Sequence, residues 1–231
     1  MALEDDLRTE VASILRGTWT TRAGTVVPEP EHLKLSNDAV ELRGTVLYAD
    51  ISESTSLVDH RSATFAAEVY KVFLHCAAKI IRAQKGTITA YDGDRIMGVF
   101  VGGWKNTNAV KAALRINFAR LHIINPLITA QYRESTYELS HAAGIDTSTL
   151  LAARTGVRGA NDLVWVGRAA NYAAKLSSLK ENSTWITRSV FNKMNQTVKV
   201  ADDGMAVWTE YTWDAMDDMA IYGTDHWLAS T

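Results

Sequence analysis

The run Gly44-Thr-Val-Leu-Tyr-Ala-Asp-Ile-Ser-Glu-Ser-Thr-Ser-Leu57 constrains the chain more than any other stretch. Thr45 to Ala49 is short, apolar and rich in β-formers, and reads as a buried strand. It ends in Asp50, and Ile51 to Thr55 is a small, hydroxyl-rich turn leading towards a helix. A carboxylate at a strand end, followed by free backbone N–H groups, suits a metal ion carrying a polyphosphate. Taken alone, the stretch suits a carboxylate that caps a turn equally well.

The chain around it, 231 residues and 47% apolar, can bury a full core as one domain or one domain with extensions. With 24 basic and 26 acidic residues the net charge is −2, which gives no pull towards a nucleic acid polymer or an anionic membrane. The single cysteine, Cys76, excludes an internal disulfide framework, and its apolar helical surroundings point to a buried structural thiol. No stretch approaches the roughly 20 apolar residues of a membrane span, and the acidic N-terminus lacks the form of a signal peptide. A cytoplasmic protein is expected.

Leu3, Leu7, Val11 and Leu15 recur every four residues among charged neighbours, which predicts an amphipathic helix. Gly17 to Asn37 holds all but one of the prolines and reads as an arm, so residues 1–40 form a helix and arm before a domain over 41–231. Ser62 or Thr64 is expected to cap a long helix to Gln84, with Phe65, Val69, Val72, Cys76 and Ile80 facing inward. Thr87–Tyr91, an Asp92-Gly93 turn and Arg95–Val101 read as a hairpin. Asn106 is placed to cap a second long helix ending near Ile124, before Pro126. Glu138–Ile145 and Leu150–Thr155 read as two strands, Gly156–Asp162 as a loop and Leu163–Val166 as a short strand. Arg168–Leu179 follows as a helix, and the tail alternates short segments. This order describes an α+β fold of the ferredoxin-like type, with helices on one face of a mainly antiparallel sheet.

In that topology the strand ending in Asp50 pairs with the strand starting after Asp94, and the two carboxylates become neighbours. There they would share two divalent ions about 3.5–4 Å apart. Alone, Asp94 is no more than the polar tip of a hairpin.

The order of four fragments resembles the class III nucleotide cyclases, over roughly Gly44 to Thr187. Tyr-Ala-Asp50-Ile-Ser-Glu-Ser-Thr55 is similar to the family's first metal-binding stretch and Asp-Gly-Asp94-Arg-Ile-Met to its second. Ala143-Gly-Ile-Asp-Thr147 is similar to the glycine-bearing strand that follows, and Gly167-Arg-Ala-Ala-Asn171-Tyr-Ala-Ala-Lys175-Leu to the helix that meets the ribose and the transition state. The resemblance implies that Asp50, Asp94 and the Ile51 carbonyl hold two Mn²⁺ or Mg²⁺ ions. It implies that backbone N–H groups of Ser52 to Thr55, Ser54 among them, and the Thr55 hydroxyl receive the β- and γ-phosphates. Asn171 would orient the ribose, and Lys175, four residues on and on the same helix face, would offset developing charge.

Two departures bear on the base. Purine cyclases of the family place Lys or Glu four residues before the second metal Asp, where this chain has Ala90, and a polar reader three residues before the helix-starting Gly, where it has Val164. Neither side chain hydrogen-bonds a purine edge. Lys175 stands where the family has Arg, keeping the charge without the planar fork. Ala90-Tyr91-Asp-Gly93, with Tyr48 on the strand face of Asp50, resembles the pyrimidine cyclases of bacterial antiphage Pycsar systems, which make cyclic UMP or cyclic CMP. A phenol there would shrink the pocket to a one-ring base. What the resemblance implies is a homodimer with sites at its interface, a nucleoside triphosphate substrate, UTP ahead of CTP, and a downstream effector that senses the cyclic nucleotide. A purine cyclase with an unusual pocket and a catalytically silent nucleotide-binding module stay open as alternatives.

Overall fold

The computed structural model describes residues 2–229. Helix α1 (Ala2–Arg16) leads into strand β1 (Thr20–Ala23) and then the long strand β2 (Asp38–Ile51). A short helix α2 (Ser54–His60) and a long one, α3 (Ala63–Ala83), precede the hairpin β3 (Thr87–Asp92) and β4 (Arg95–Phe100). Helix α4 (Lys105–Ala119) runs through a π-helical turn at Arg120–Ile124 into α5 (Asn125–Gln131). The second half comprises β5 (His141–Val157), β6 (Ala160–Val166), α6 (Arg168–Leu176), β7 (Thr184–Thr187), α7 (Arg188–Lys193), β8 (Thr209–Trp213) and β9 (Met219–Thr224). None of the described helices is long and apolar enough to cross a membrane.

The sheet runs β3-β4-β2-β5-β7-β9-β8, with β1 paired to the start of β2 and β6 to the end of β5. Every one of these pairs is antiparallel except β1–β2 and β5–β7. Because side chains alternate along β2, Leu47, Ala49 and Ile51 join one apolar cluster, shared with α3 and α4. Val46 and Tyr48 join another, shared with Ala169, Ala170 and Ala173 of α6. Helices therefore cover both faces of the sheet, where one face was expected. Gly144 sets how close α6 lies: a Cβ there would stand 2.1 Å from the Ala173 carbonyl oxygen.

The N-terminal helix forms as its spacing predicts, yet none of its residues is buried. The arm is tied to the sheet, Thr20 opposite Asp38 and Arg22 ion-paired with Asp38 at 2.7 Å. Ser62 does cap α3, but past Val69 the buried stripe passes through Phe73, Ala77 and Ile81 instead of Val72, Cys76 and Ile80. Cys76 is consequently half-buried. Asn106 caps nothing; it is buried, and its Oδ1 accepts from the Thr45 hydroxyl at 2.9 Å. Pro126 does not end the helix: it falls in the first turn of α5, where a missing N–H is tolerated.

Two further expectations are corrected. The β3–β4 loop is Gly93-Asp94, since Asp92 is already opposite Arg95, and Gly93 takes the left-handed position at φ +61°. Glu138–Ile145 and Leu150–Thr155 are not two strands; one strand begins at His141 and runs through, and most of the Gly156–Asp162 loop belongs to its hairpin with β6.

Candidate active site

Asp50 lies near the end of β2, opposite Arg95 on β4 and Ala142 on β5. Asp94, one residue before Arg95, stands beside it at the hairpin tip. Burial pushes the Asp50 carboxyl up to about 6, and the Asp94 charge pushes it the same way against the opposing pull of Arg95. The Arg95 Nε is 3.7 Å from Asp50 Oδ2, beyond hydrogen-bond length, and its guanidinium lies 5.9 Å from the Tyr48 ring centre. Asp94 Oδ2 is buried with no hydrogen-bond partner. Two carboxylates that repel each other, one with an orphaned oxygen, form a donor set that fits a hard divalent cation. Among the described residues no group of three or more His, Cys, Asp or Glu gathers to hold a metal. The pair would thus supply part of a coordination shell and leave the rest to backbone oxygen, water and ligand.

Past Asp50 the chain turns sharply. The Ser52 N–H is donated to the Ser140 carbonyl at 3.0 Å, and Glu53 takes a left-handed φ of +58° before α2 begins. The Ser52 N–H is therefore committed, whereas Ser54 and Thr55 sit in the first helical turn, whose N–H groups have no intrahelical acceptor. A cavity of about 510 Å³ opens here, lined by Asp50, Ile51, Ser52, Arg120, His141 and Lys180 among others. His141 is buried with both ring nitrogens unpartnered, and burial, with the Arg120 charge, pushes its pKa down to about 3.

Tyr48 shares the face of Asp50 and is opposite Met97, which is in turn opposite Ala90, so Ala90 and Tyr48 lie in one row of the sheet. Burial raises the Tyr48 phenol. Tyr91 is exposed. Val164 is opposite Ala153, nine residues further along β5 than Gly144, which faces Tyr48. Its side chain is 39% exposed, while its neighbours Leu163 and Trp165 turn towards the α6-side cluster. Asn171 and Lys175 both stand exposed on α6, the Lys175 Nζ 3.4 Å from Met216 Sδ. From that end of the molecule Ser177 and Ser178 reach the cavity at Asp50, but Asn171 and Lys175 do not line it. Within one chain the structure gathers Tyr48, Asp50, Ile51, Ser52, Ala90 and Asp94 at one end of the sheet, and leaves Val164, Asn171 and Lys175 outside that group. Sequence reasoning missed Arg95, Arg120 and His141; a basic residue directly after Asp94 was the one readable signal among them.

No protein-family model matches the chain. Among solved structures it superposes on the guanylyl cyclase Cya2 with a TM-score of 0.68 at 18% identity, over 81% of this chain and 94% of that one. The adenylyl cyclase CyaB from P. aeruginosa gives 0.63 at 22%, over 84% and 97%. The fold is that of the class III nucleotide cyclases. In sequence the chain is 48% identical over 223 residues to a uridylate cyclase of Xanthomonas perforans, 96% of each chain. It is also 48% identical over 229 residues to one of Burkholderia cepacia, covering 98% of this chain and 99% of the relative. A third uridylate cyclase, from Rhodovulum sp. (strain MB263), is 36% identical over 234 residues. The chain belongs to the uridylate cyclase family.

Proposed function

We propose that this chain converts UTP to 3′,5′-cyclic UMP and pyrophosphate, and that it does so as a homodimer. The observation that carries the reading is the Asp50–Asp94 pair with its orphaned oxygen, in a chain whose near full-length relatives are named uridylate cyclases. Those two carboxylates and the Ile51 carbonyl would hold two Mn²⁺ or Mg²⁺ ions, which when bound supply Lewis acidity to the 3′-hydroxyl and the triphosphate. Ser54 and Thr55 offer first-turn N–H groups and hydroxyls to the β- and γ-phosphates, and Ser52 its hydroxyl alone.

Tyr48 fills the space beside Ala90 that a purine's second ring would need. Tyr91 does not join that pocket: it is opposite Ile96 in the row of Ala49, so its side chain leaves from the other face of the sheet. Asn171 orients the ribose and Lys175 offsets charge developing at the α-phosphate. Both are exposed and neither lines the cavity at Asp50, which supports their serving the site of a second copy, together with Val164. Residues 1–40 act as an N-terminal extension to a catalytic domain over 41–231. By kinship with the pyrimidine cyclases of antiphage systems, the product is a cytoplasmic second messenger read by a cyclic-nucleotide-sensing effector.

The test is incubation with each nucleoside triphosphate in turn and Mn²⁺, reading pyrophosphate and cyclic product. UTP is expected to turn over fastest, CTP next, and ATP and GTP far slower. Tyr48→Ala is expected to depress UTP turnover more than it raises ATP turnover. Equal rates with ATP and UTP in the unaltered protein would return the chain to the purine cyclases, and no turnover of any triphosphate would favour a silent module.

A further inference from the structure

Asp146, the sixth residue of β5, is fully buried. Its Oδ2 accepts from Arg168 Nε at 3.0 Å, and its Oδ1 from Arg168 Nη2 at 3.3 Å and from the Thr187 hydroxyl at 2.6 Å. Arg168 Nη2 also donates to the Thr147 carbonyl at 3.0 Å, and its guanidinium lies 5.4 Å from the Tyr172 ring centre. Each half of this arrangement is unfavourable without the other. A buried carboxylate is costly unless paired, and Arg168 is the first residue of α6, where the helix dipole disfavours a positive charge.

Starting the helix does not require the pair. The Ser148 hydroxyl already accepts the Ala169 N–H at 3.0 Å, serving one of the orphan donors of the first turn. What remains for the pair is location. Helix α6 has nine residues, too few to hold itself in water, and a slip of one residue turns its face by about 100°. Asp146 fixes its N-terminal end against β5, and the close approach at Gly144 fixes its C-terminal end. Thr187, which also accepts the Val190 N–H to cap α7, ties the same carboxylate to the β7–α7 corner.

We propose that Asp146, Arg168 and Thr187 form a positioning latch for α6. The latch acts through Asn171 and Lys175, and so it rests on the reading that those two residues serve the reaction. None of its members touches substrate; they set the angle at which α6 presents the residues that do.

Asp146→Asn keeps the shape and the Thr187 contact while breaking the paired geometry; Arg168→Gln removes the charge and leaves Asp146 with the Thr187 hydroxyl, so its fold is checked first by circular dichroism. Both are expected to lower kcat for UTP by roughly 100-fold, the scale of a small misplacement of a reacting group. KM for UTP and Mn²⁺ affinity, read by spin resonance of the bound ion, should stay within about twofold, because the metal end of the sheet is untouched. Arg168→Lys, with charge but no fork, should fall between.

Complementation then separates positioning from general damage. Arg168→Gln mixed with Asp50→Ala should regain activity, and mixed with Asn171→Ala should not, since its defect lies in the α6 half of the chain. A folded Arg168→Gln or Asp146→Asn protein with near-normal kcat overturns the latch. So does weakened Mn²⁺ binding at unchanged kcat, or rescue by the Asn171→Ala chain. If Asp50→Ala and Asn171→Ala fail to rescue each other, the shared-site reading fails separately, and the kcat-against-KM split alone decides the latch.

Discussion

At Asp50 burial and a neighbouring like charge both oppose ionisation. Without metal its carboxyl is pushed to about 6 from an ordinary 3.8, first by burial and then by Asp94. Between those two values the folded chain holds the proton and the unfolded chain has released it. The residue's contribution to stability therefore falls as pH rises through that window and is level above it. The thermal midpoint of the metal-free protein, measured relative to Asp50→Asn, is expected to drop between about pH 4 and about pH 6. A flat difference would show that Asp50 is not strained. Metal ligation needs the ionised carboxylate, so Mn²⁺ affinity should weaken as pH falls through about 6. On the proposed two-carboxylate site, Asp50→Ala or Asp94→Ala should abolish turnover and leave the fold intact, since each would delete a cation ligand at a strand end. Circular dichroism and pyrophosphate release check both halves, and near-normal turnover in either variant would remove the two-carboxylate site.

At the scale of elements, α6 is the part whose place matters most, and Gly144 tests it. A Cβ at Gly144 would meet backbone, the Ala173 oxygen at 2.1 Å and the Ser177 nitrogen at 2.5 Å, so the helix itself must move. Gly144→Ala is expected to destabilise by about 1–3 kcal/mol, as overpacking does, and to lower kcat while Mn²⁺ binding persists. Unchanged kcat would mean that α6 need not sit where it does. This contact also marks the limit of what the sequence shows. The strands around Asp50 and Asp94 were legible because their β-formers and turn residues act locally. The inner face of α3 was half legible: Val72 and Cys76 flank an apolar groove against Ile123, Leu127 and Ile128, and Ile80 packs half-buried against the core, so the apolar arc is wider than the buried stripe. Thr147-Ser148-Thr149 reads as a break in β5, yet Thr147 bonds the Gly44 carbonyl and Ser148 serves the Ala169 N–H. Those partners lie far along the chain, and no local pattern announces them.

For the whole molecule, the proposed function requires that residues one chain keeps apart come to one substrate. Asp50 and Asp94 stand at one end of the sheet, and Asn171 and Lys175 on the outer surface of α6, with no shared cavity between them. Residue patterns alone mark both sets and only the family resemblance implies that they meet across two chains; where each set lies in one chain is defined by the β2–β5 register and the path of α6. A two-fold axis that sets one chain's strand end against its partner's α6 would complete two equivalent sites, each with carboxylates from one chain and Asn171 from the other. Asp50→Ala and Asn171→Ala proteins should then each be nearly inactive alone. Mixed in equal amounts with free exchange, half the dimers pair one of each. In every such dimer one site carries both defects and the other carries none. Activity should return to roughly a quarter of the unaltered level, because half the dimers each have one sound site of two. Pyrophosphate release at equal total protein, with exchange verified by a tagged chain, measures it. A verified heterodimer as inactive as its parents would place all the working residues of a site within a single chain.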